Sequence, residues 1–174
     1  STIPGAGDAM LLTNIQNRRG EMQTASLEVY FVDADFMRQY AMPIIAGRGF
    51  SPDFATDTAK GMILNESAVR LLGYSSPQQA IGARFSQGGR EGRIVGVVKD
   101  FHTASLHWHI NPLCIDLMTD QEGFTVSAKV RTADLPHTIA GIEAIWKKVL
   151  PGHPFSYDFA DEEFNQQYEP EEQF

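Results

Sequence analysis

The sequence predicts an α+β fold, and three observations lead to this prediction. In the first half of the chain, short apolar and β-branched runs alternate with capped helical turns, which is typical of a small mixed lobe. A longer amphipathic pattern runs from Leu135 to Val149. Between them, the β-branched run that starts at Arg93 contains Gly96 and stops at Lys99-Asp100. Because the character of the chain changes there, we interpret this run as the seam between two lobes.

In the first lobe, strand-forming runs are followed by helix-start signals. Residues 26–32 form a β-branched and aromatic run, and Asp33 is predicted to cap a short helix that Pro43 stops. Asn65 is predicted to cap a helix over 66–72, which Gly73 ends. Residues 10–15 fit either a helix or a strand. Further predicted elements are strands at 44–45 and 62–64, a helical turn at 51–53, a polar loop at 55–60, and a hairpin that joins 83–86 to 92–98.

The second lobe shows more regular periodicity. A strand is predicted over 113–118, and 124–131 alternate apolar and polar residues as a half-buried strand does. Asp134 is predicted to cap the longest helix, and alternation over 155–159 predicts a last strand before an acidic helix that starts at Asp161. This order predicts an open sandwich with the helix over one face of a sheet.

Composition limits the possible functions. The chain has 174 residues, 43% of them apolar, and a net charge of −8, so it can bury a core and is a poor partner for nucleic acid. No apolar run reaches the roughly 18 residues that a membrane span requires. Residues 149–174 contain no Lys or Arg, which predicts a solvated acidic end, a surface kept clear of anionic lipid, or a surface that docks a basic partner. The chain begins Ser1-Thr2, so we expect a piece of a longer or processed protein.

The cluster with the strongest chemical potential is formed by Asp100, His102, His107 and His109. Two histidines at alternate positions of a strand share one face, and zinc accepts nitrogen and oxygen ligands. The competing interpretation is that these side chains are exposed or hydrogen-bonded to the backbone, and we favour it. The sequence therefore predicts no catalytic residue, no cofactor and no metal. If a metal is bound after all, these four residues are the candidate ligands.

Other residues have structural interpretations. Cys114, the single cysteine, lies in an apolar run and is predicted to be a buried small hydrophobe. Arg48 stands between two glycines and is predicted to bind a backbone carbonyl or a carboxylate. The glycines at 88 and 89 lie between two strands instead of before a helix, so they do not indicate a phosphate loop.

Several motifs occur in an order that resembles one family. They are Ile3-Pro4-Gly5, Val32-Asp33-Ala34-Asp35-Phe36, Ala46-Gly47-Arg48-Gly49-Phe50-Ser51, Ile63-Leu64-Asn65-Glu66-Ser67-Ala68, Ile81-Gly82-Ala83, Ile94-Val95-Gly96-Val97-Val98-Lys99-Asp100-Phe101-His102 and Tyr168-Glu169-Pro170-Glu171. Across most of its length the chain resembles the extracytoplasmic domain of MacB/FtsX-type ABC transporter permeases, the MacB-like periplasmic core domain. The Lys-Asp-Phe-His version is similar to permeases of Bacteroidetes-type bacteria.

The resemblance implies an architecture. A small Sabre-like mixed lobe over 22–105 would be inserted into a porter-like β-β-α-β lobe made from 1–21 and 106–174. The chain departs from the family pattern at its start, where a stem helix, a strand and a helix would normally precede Pro4-Gly5.

The resemblance also implies a function. The domain would be a non-enzymatic, extracytoplasmic part of an integral membrane protein, itself a soluble piece. It would couple ATP hydrolysis by a cytoplasmic ABC ATPase to substrate export or to mechanical transmission. Expected partners are that ATPase, an extracytoplasmic adaptor or substrate protein, and a second permease copy. Two alternatives remain: a small-ligand sensor with a pocket between the lobes, and a metal-dependent enzyme that uses the histidine cluster.

Overall fold

The structure is a computed structural model that describes residues 9–51, 53–54, 56–101, 109–117 and 126–159. By the density of its contacts, the chain divides into two compact units, Ser1–Thr125 and Val126–Phe174. Each unit is described by itself.

The first unit contains seven strands and four short helices within its described residues. The strands are β1 (Ala9–Gln16), β2 (Met22–Val32), β3 (Ile44–Gly47), β4 (Gly61–Asn65), β5 (Arg84–Gln87), β6 (Arg90–Val98) and β7 (Leu113–Leu117). The helices are α1 (Phe36–Gln39), α2 (Asp57–Lys60), α3 (Glu66–Leu71) and α4 (Pro77–Ala80).

Six of these strands close into a barrel. The strand order is β3-β6-β4-β7-β2-β1-β5, and an additional pairing of β5 with β6 joins the two ends of the ring. β3 remains outside the ring as an extra neighbour of β6. The pairs β2–β7 and β4–β6 are parallel, and the other pairs are antiparallel. Closure leaves these six strands without an unpaired edge along the ring.

The apolar core has two parts, one on each face of the barrel wall. The first part takes residues from all six ring strands and therefore fills the interior; it includes Ile15, Leu27, Val29, Met62, Leu64, Phe85, Ile94 and Cys114. The second part packs α1 against the outer face of β2, β4, β6 and β7; it includes Tyr30, Val32, Phe36, Ile63, Val98 and Ile115. Alternate residues of β2 enter different parts because successive strand side chains point to opposite faces.

Local signals in the sequence predicted several elements correctly. Asn65 accepts a hydrogen bond from the backbone N–H of Ala68 at 2.9 Å and so caps α3. Gly88 and Gly89 have φ values of 55° and 82°, and they form the two-residue turn between β5 and β6. A turn of this kind needs positive φ at both central positions, which glycine adopts without a steric penalty. The α+β fold class is confirmed.

The structure also corrects several predicted elements. Residues 10–15, left open between helix and strand, belong to strand β1. The helical turn predicted at 51–53 forms only as one hydrogen-bonded turn, in which Phe54 N donates to Ser51 O at 3.0 Å and Asp53 N donates to Ser51 Oγ at 3.2 Å. The short helix lies at 57–60 instead, in the predicted loop. The strands predicted over 124–131 and 155–159 are absent at 126–131 and 155–159. Alternation shows which face a strand would bury, but a strand also needs a neighbouring backbone to pair with.

The second unit is built on one long helix. A 3₁₀ turn, Thr132–Asp134, leads into α5 (Leu135–Val149), the predicted long helix, and Glu143 pairs with Lys147 at 2.6 Å along its surface. Asp134 stands at the N-cap, but its side chain does not make the predicted capping hydrogen bond. None of the residues of α5 is buried. Trp146 packs against the ring of Phe155, the first of three aromatic residues in contact at alternate positions. The last helix, predicted from Asp161, lies outside the described residues. No described helix is long and apolar enough to cross a bilayer.

The predicted lobes and the observed units have different boundaries. β1 and β7 come from the segments 1–21 and 106–174, yet both pair with β2, which belongs to the segment 22–105. Strands from both predicted lobes thus share one barrel. The division into a porter-like and an inserted lobe stays a prediction.

Candidate functional site

The predicted metal cluster is described at only two of its four positions. Asp100 follows β6, and its two oxygens accept from the backbone N–H of Ser67 at 2.9 Å and from Arg70 Nη2 at 2.5 Å. Its own N–H donates to Glu66 Oε2 at 2.9 Å. These bonds tie the end of β6 to the first turn of α3, so the carboxylate of Asp100 already has two partners.

The histidines give no support for a metal site among the described residues. His109 is exposed, and His102 and His107 lie outside the described residues. No group of three or more His, Cys, Asp or Glu side chains that could hold a metal ion occurs in the described part of the chain. The candidate metal ligands therefore stay a prediction.

Asn65, the last residue of β4, connects β4 to β7 through its side chain. Its side-chain oxygen accepts from Leu113 N at 3.0 Å as well as from Ala68 N, and its Nδ2 donates to Asn111 O at 2.8 Å. The side chain is 1% exposed. One amide therefore caps a helix and also holds β7 in position beside β4, at the start of the strand.

Arg48 and Asp57 form a two-bond ion pair. Nη1 and Nη2 of Arg48 donate to the two carboxylate oxygens of Asp57 at 2.5 and 2.8 Å, and Nη1 also donates to the carbonyl of Gly49. Asp57 is 2% exposed. The hydrogen bond to Asp57 raises the pKa of Arg48, although partial burial acts in the opposite direction. The prediction that Arg48 binds a carbonyl or a carboxylate is confirmed, since it binds both.

This ion pair lies at a cleft of about 640 Å³ beside α2, β5 and β6. Ligand sites in proteins commonly occupy about 300–1,000 Å³. Six charged side chains line the cleft: Arg48, Asp57, Lys60, Arg84, Glu91 and Arg93. Four of them are cations and two are carboxylates, so the cleft carries a formal charge of +2 on a chain of net charge −8.

A second ion pair is buried against the barrel interior. Arg90 Nη2 donates to Asp116 Oδ1 at 2.8 Å, with side-chain exposures of 25% and 0%. Burial raises the pKa of Asp116, and the nearby Arg90 opposes that rise. Cys114 is fully buried, as predicted, and burial raises the pKa of its thiol far above the usual value, so it is an unreactive group.

The sequence did not single out Asp57 or Asp116. Asp116 interrupts the apolar run Leu113–Leu117, and that interruption was a signal of a buried charge, which needs a partner. Asp57 stood in a predicted polar loop and gave no such signal. Its partner was identified only as a residue that would bind some carboxylate.

In class, the first unit is an α+β domain with a closed barrel and an open, positively charged cleft. The periplasmic region of MacB from Actinobacillus actinomycetemcomitans has a similar structure, with a TM-score of 0.55 and 14% identity over 82% of this chain and 64% of that one. A domain of a protein described as a permease, from Porphyromonas gingivalis, aligns with a TM-score of 0.53 and 16% identity over 84% of this chain and 65% of that one.

These similarities establish the fold. The chain shares it with the two domains, which confirms the resemblance found in the sequence at the level of fold. It spans slightly less than two thirds of the length of each. No protein-family profile and no curated protein sequence matches the chain.

Proposed function

We propose that this chain is the extracytoplasmic domain of an ABC transporter permease of the MacB/FtsX type. The observation that carries the proposal is the shared fold with the periplasmic region of MacB. The ordered sequence motifs also support it. The domain would lie outside the cytoplasm and be tied to membrane helices of the same protein.

In this proposal the domain is a non-enzymatic coupling element. A cytoplasmic ABC ATPase would hydrolyse ATP, and the domain would pass the resulting motion to a substrate or to an extracytoplasmic adaptor, within a permease dimer. A body that transmits motion must resist internal shear. The closed barrel, the Asn65 hydrogen bonds and the tie between Asp100 and α3 supply that resistance in the first unit. The predicted lobes, 22–105 inserted between 1–21 and 106–174, are part of this proposal.

The two alternatives fare differently. The charged cleft of the first unit favours a ligand-binding function as the second candidate, although the residues that line it all fall within 22–105 and not between the two predicted lobes. In a metal-dependent enzyme that used Asp100 as a ligand, the metal would have to bind beside the two hydrogen bonds that the Asp100 oxygens accept, one of them from a charged guanidinium.

The location outside the cytoplasm can be tested by labelling the full-length protein in intact cells. Ser75 is exposed, so Ser75→Cys should react with a membrane-impermeant maleimide. The single cysteine, Cys114, is 0% exposed, so this segment of the unsubstituted protein should not react with the maleimide and serves as the control. We expect labelling of Ser75→Cys before permeabilisation. Labelling that requires permeabilisation would place the segment in the cytoplasm and overturn the proposal.

Partnership with an ATPase can be tested separately. Affinity-tagged full-length protein, extracted in mild detergent, is expected to co-purify with an ABC ATPase, and the complex should hydrolyse ATP. A full-length protein that purifies without any nucleotide-hydrolysing subunit or domain would contradict the coupling function.

A further inference from the structure

Three cations in the cleft have no carboxylate partner among the described residues. The charge of Arg48 is matched by Asp57, but Lys60, Arg84 and Arg93 form no ion pair there. Acidic residues outnumber basic ones by 22 to 14 in this chain. In so acidic a protein, these three cations on one concave surface, offset in part by the carboxylate of Glu91, form a local positive field that attracts anions.

Two of these cations stand directly opposite each other. Arg84 and Arg93 are register partners in the antiparallel pair β5–β6. Opposed side chains on one face have Cβ atoms about 4.5–5.5 Å apart, and like charges in this position destabilise the sheet. Arg93 donates one hydrogen bond to the carbonyl of Gly82 at 2.8 Å, which leaves both guanidinium charges in place. An anion between the two guanidinium groups would convert this repulsion into attraction.

We propose that this cleft binds an acidic peptide segment of a partner protein. One carboxylate would bridge Arg84 and Arg93, since a guanidinium fork matches a carboxylate in two-bond geometry, as Arg48 already does with Asp57. Lys60 would attract a second carboxylate. The cations lie on three elements, α2, β5 and β6, an arrangement that suits several carboxylates along a chain better than one isolated ion.

The apolar lining supports the same occupant. Met22 and Val95 also line the cleft, and Met22 is 45% exposed. They can contact the methylene groups of glutamate side chains, which inorganic phosphate lacks. This proposal does not rest on the transporter function, because it depends only on residues of the first unit.

The test measures binding of a fluorescently labelled hexaglutamate peptide, blocked at both ends, to the whole 174-residue chain by fluorescence anisotropy. We expect saturable binding that weakens as salt is raised. The double variant Arg84→Gln/Arg93→Gln should weaken binding at least tenfold. Arg19→Gln, the matched control in an exposed turn outside the cleft, should change it less than twofold. Equal effects of both changes, or no binding at low salt, would overturn the proposal.

Competition and stability distinguish the peptide from other anions. Inorganic phosphate at the peptide's concentration should not displace it, and vesicles of phosphatidylglycerol should not bind the chain; displacement or vesicle binding would contradict a peptide site.

Without peptide, Arg84→Gln should raise the melting temperature because it removes like-charge repulsion. With peptide, the melting temperature of the unsubstituted chain should rise further than that of the variant. A lower melting temperature for the free variant would show that Arg84 has a structural role instead.

Discussion

Replacing Asn65 by alanine is expected to destabilise the first unit by about 4 kcal/mol, because two buried backbone donors lose their acceptor. These donors are the N–H groups of Ala68 and Leu113, and both residues are at most 1% exposed. A buried donor left without a partner costs about 1–3 kcal/mol, so two give about 2–6 kcal/mol. Asn111 is exposed, and water can replace the bond that its carbonyl loses.

Urea unfolding followed by far-UV circular dichroism measures this effect. The midpoint for Asn65→Ala should fall while the slope stays unchanged, because the surface exposed on unfolding is the same. Ser76→Ala is the matched control, since Ser76 is also a helix N-cap but its side chain makes no capping hydrogen bond. A loss below about 1 kcal/mol for Asn65→Ala would refute the reasoning from buried donors.

Two further positions give predictions with a definite sign. A Cβ at Gly96 would collide with the carbonyl oxygen of Arg48, so Gly96→Ala should lower the free energy of unfolding in urea by about 2–3 kcal/mol. The control is Gly141→Ala, because a Cβ at this exposed helix position meets nothing within 4 Å and should stabilise the helix by up to about 1 kcal/mol. Equal effects at the two sites would contradict the close approach at Gly96. Asp116 has a raised pKa because of burial, so the folded state holds its proton more tightly than the unfolded state does. Its contribution to stability is therefore complete below the unfolded value near 3.8 and is lost as pH rises through the folded value. The stability of the unsubstituted chain minus that of Asp116→Asn should fall with rising pH in this window, and a flat or rising difference would show that the pair with Arg90 outweighs burial.

Local rules predicted elements in which a side chain acts on its own stretch of backbone. The cap at Asn65, the glycine turn at 88–89 and helix α5 all depend on residues within a few positions of one another. The sequence also predicted that another group comes close to Gly96, because a glycine in a strand often allows a close approach. That the approaching group is the Arg48 carbonyl depended on the pairing of β3 with β6.

Pairing between strands could not be predicted from local pattern. Alternation over 124–131 and 155–159 predicted strands that the structure does not contain at 126–131 and 155–159. Residues 10–15 gave only an ambiguous signal, yet they belong to β1, a full strand of the barrel. The free energy of a strand comes from its neighbours, through hydrogen bonds and side-chain pairs across the sheet. Such neighbours can be far away in sequence, as Phe85 is from Ile15.

The sequence by itself determined the α+β class, the cap at Asn65, the glycine turn at 88–89, the single long helix, and the resemblance to permease domains. The tertiary structure alone decided that six strands close into a ring and that carboxylates at 57 and 116 are buried beside arginines at 48 and 90. It also decided that Arg84 and Arg93 face each other at a cleft. The physical reason is that burial and charge pairing are properties of neighbours in space, which strand register brings together from separate parts of the chain.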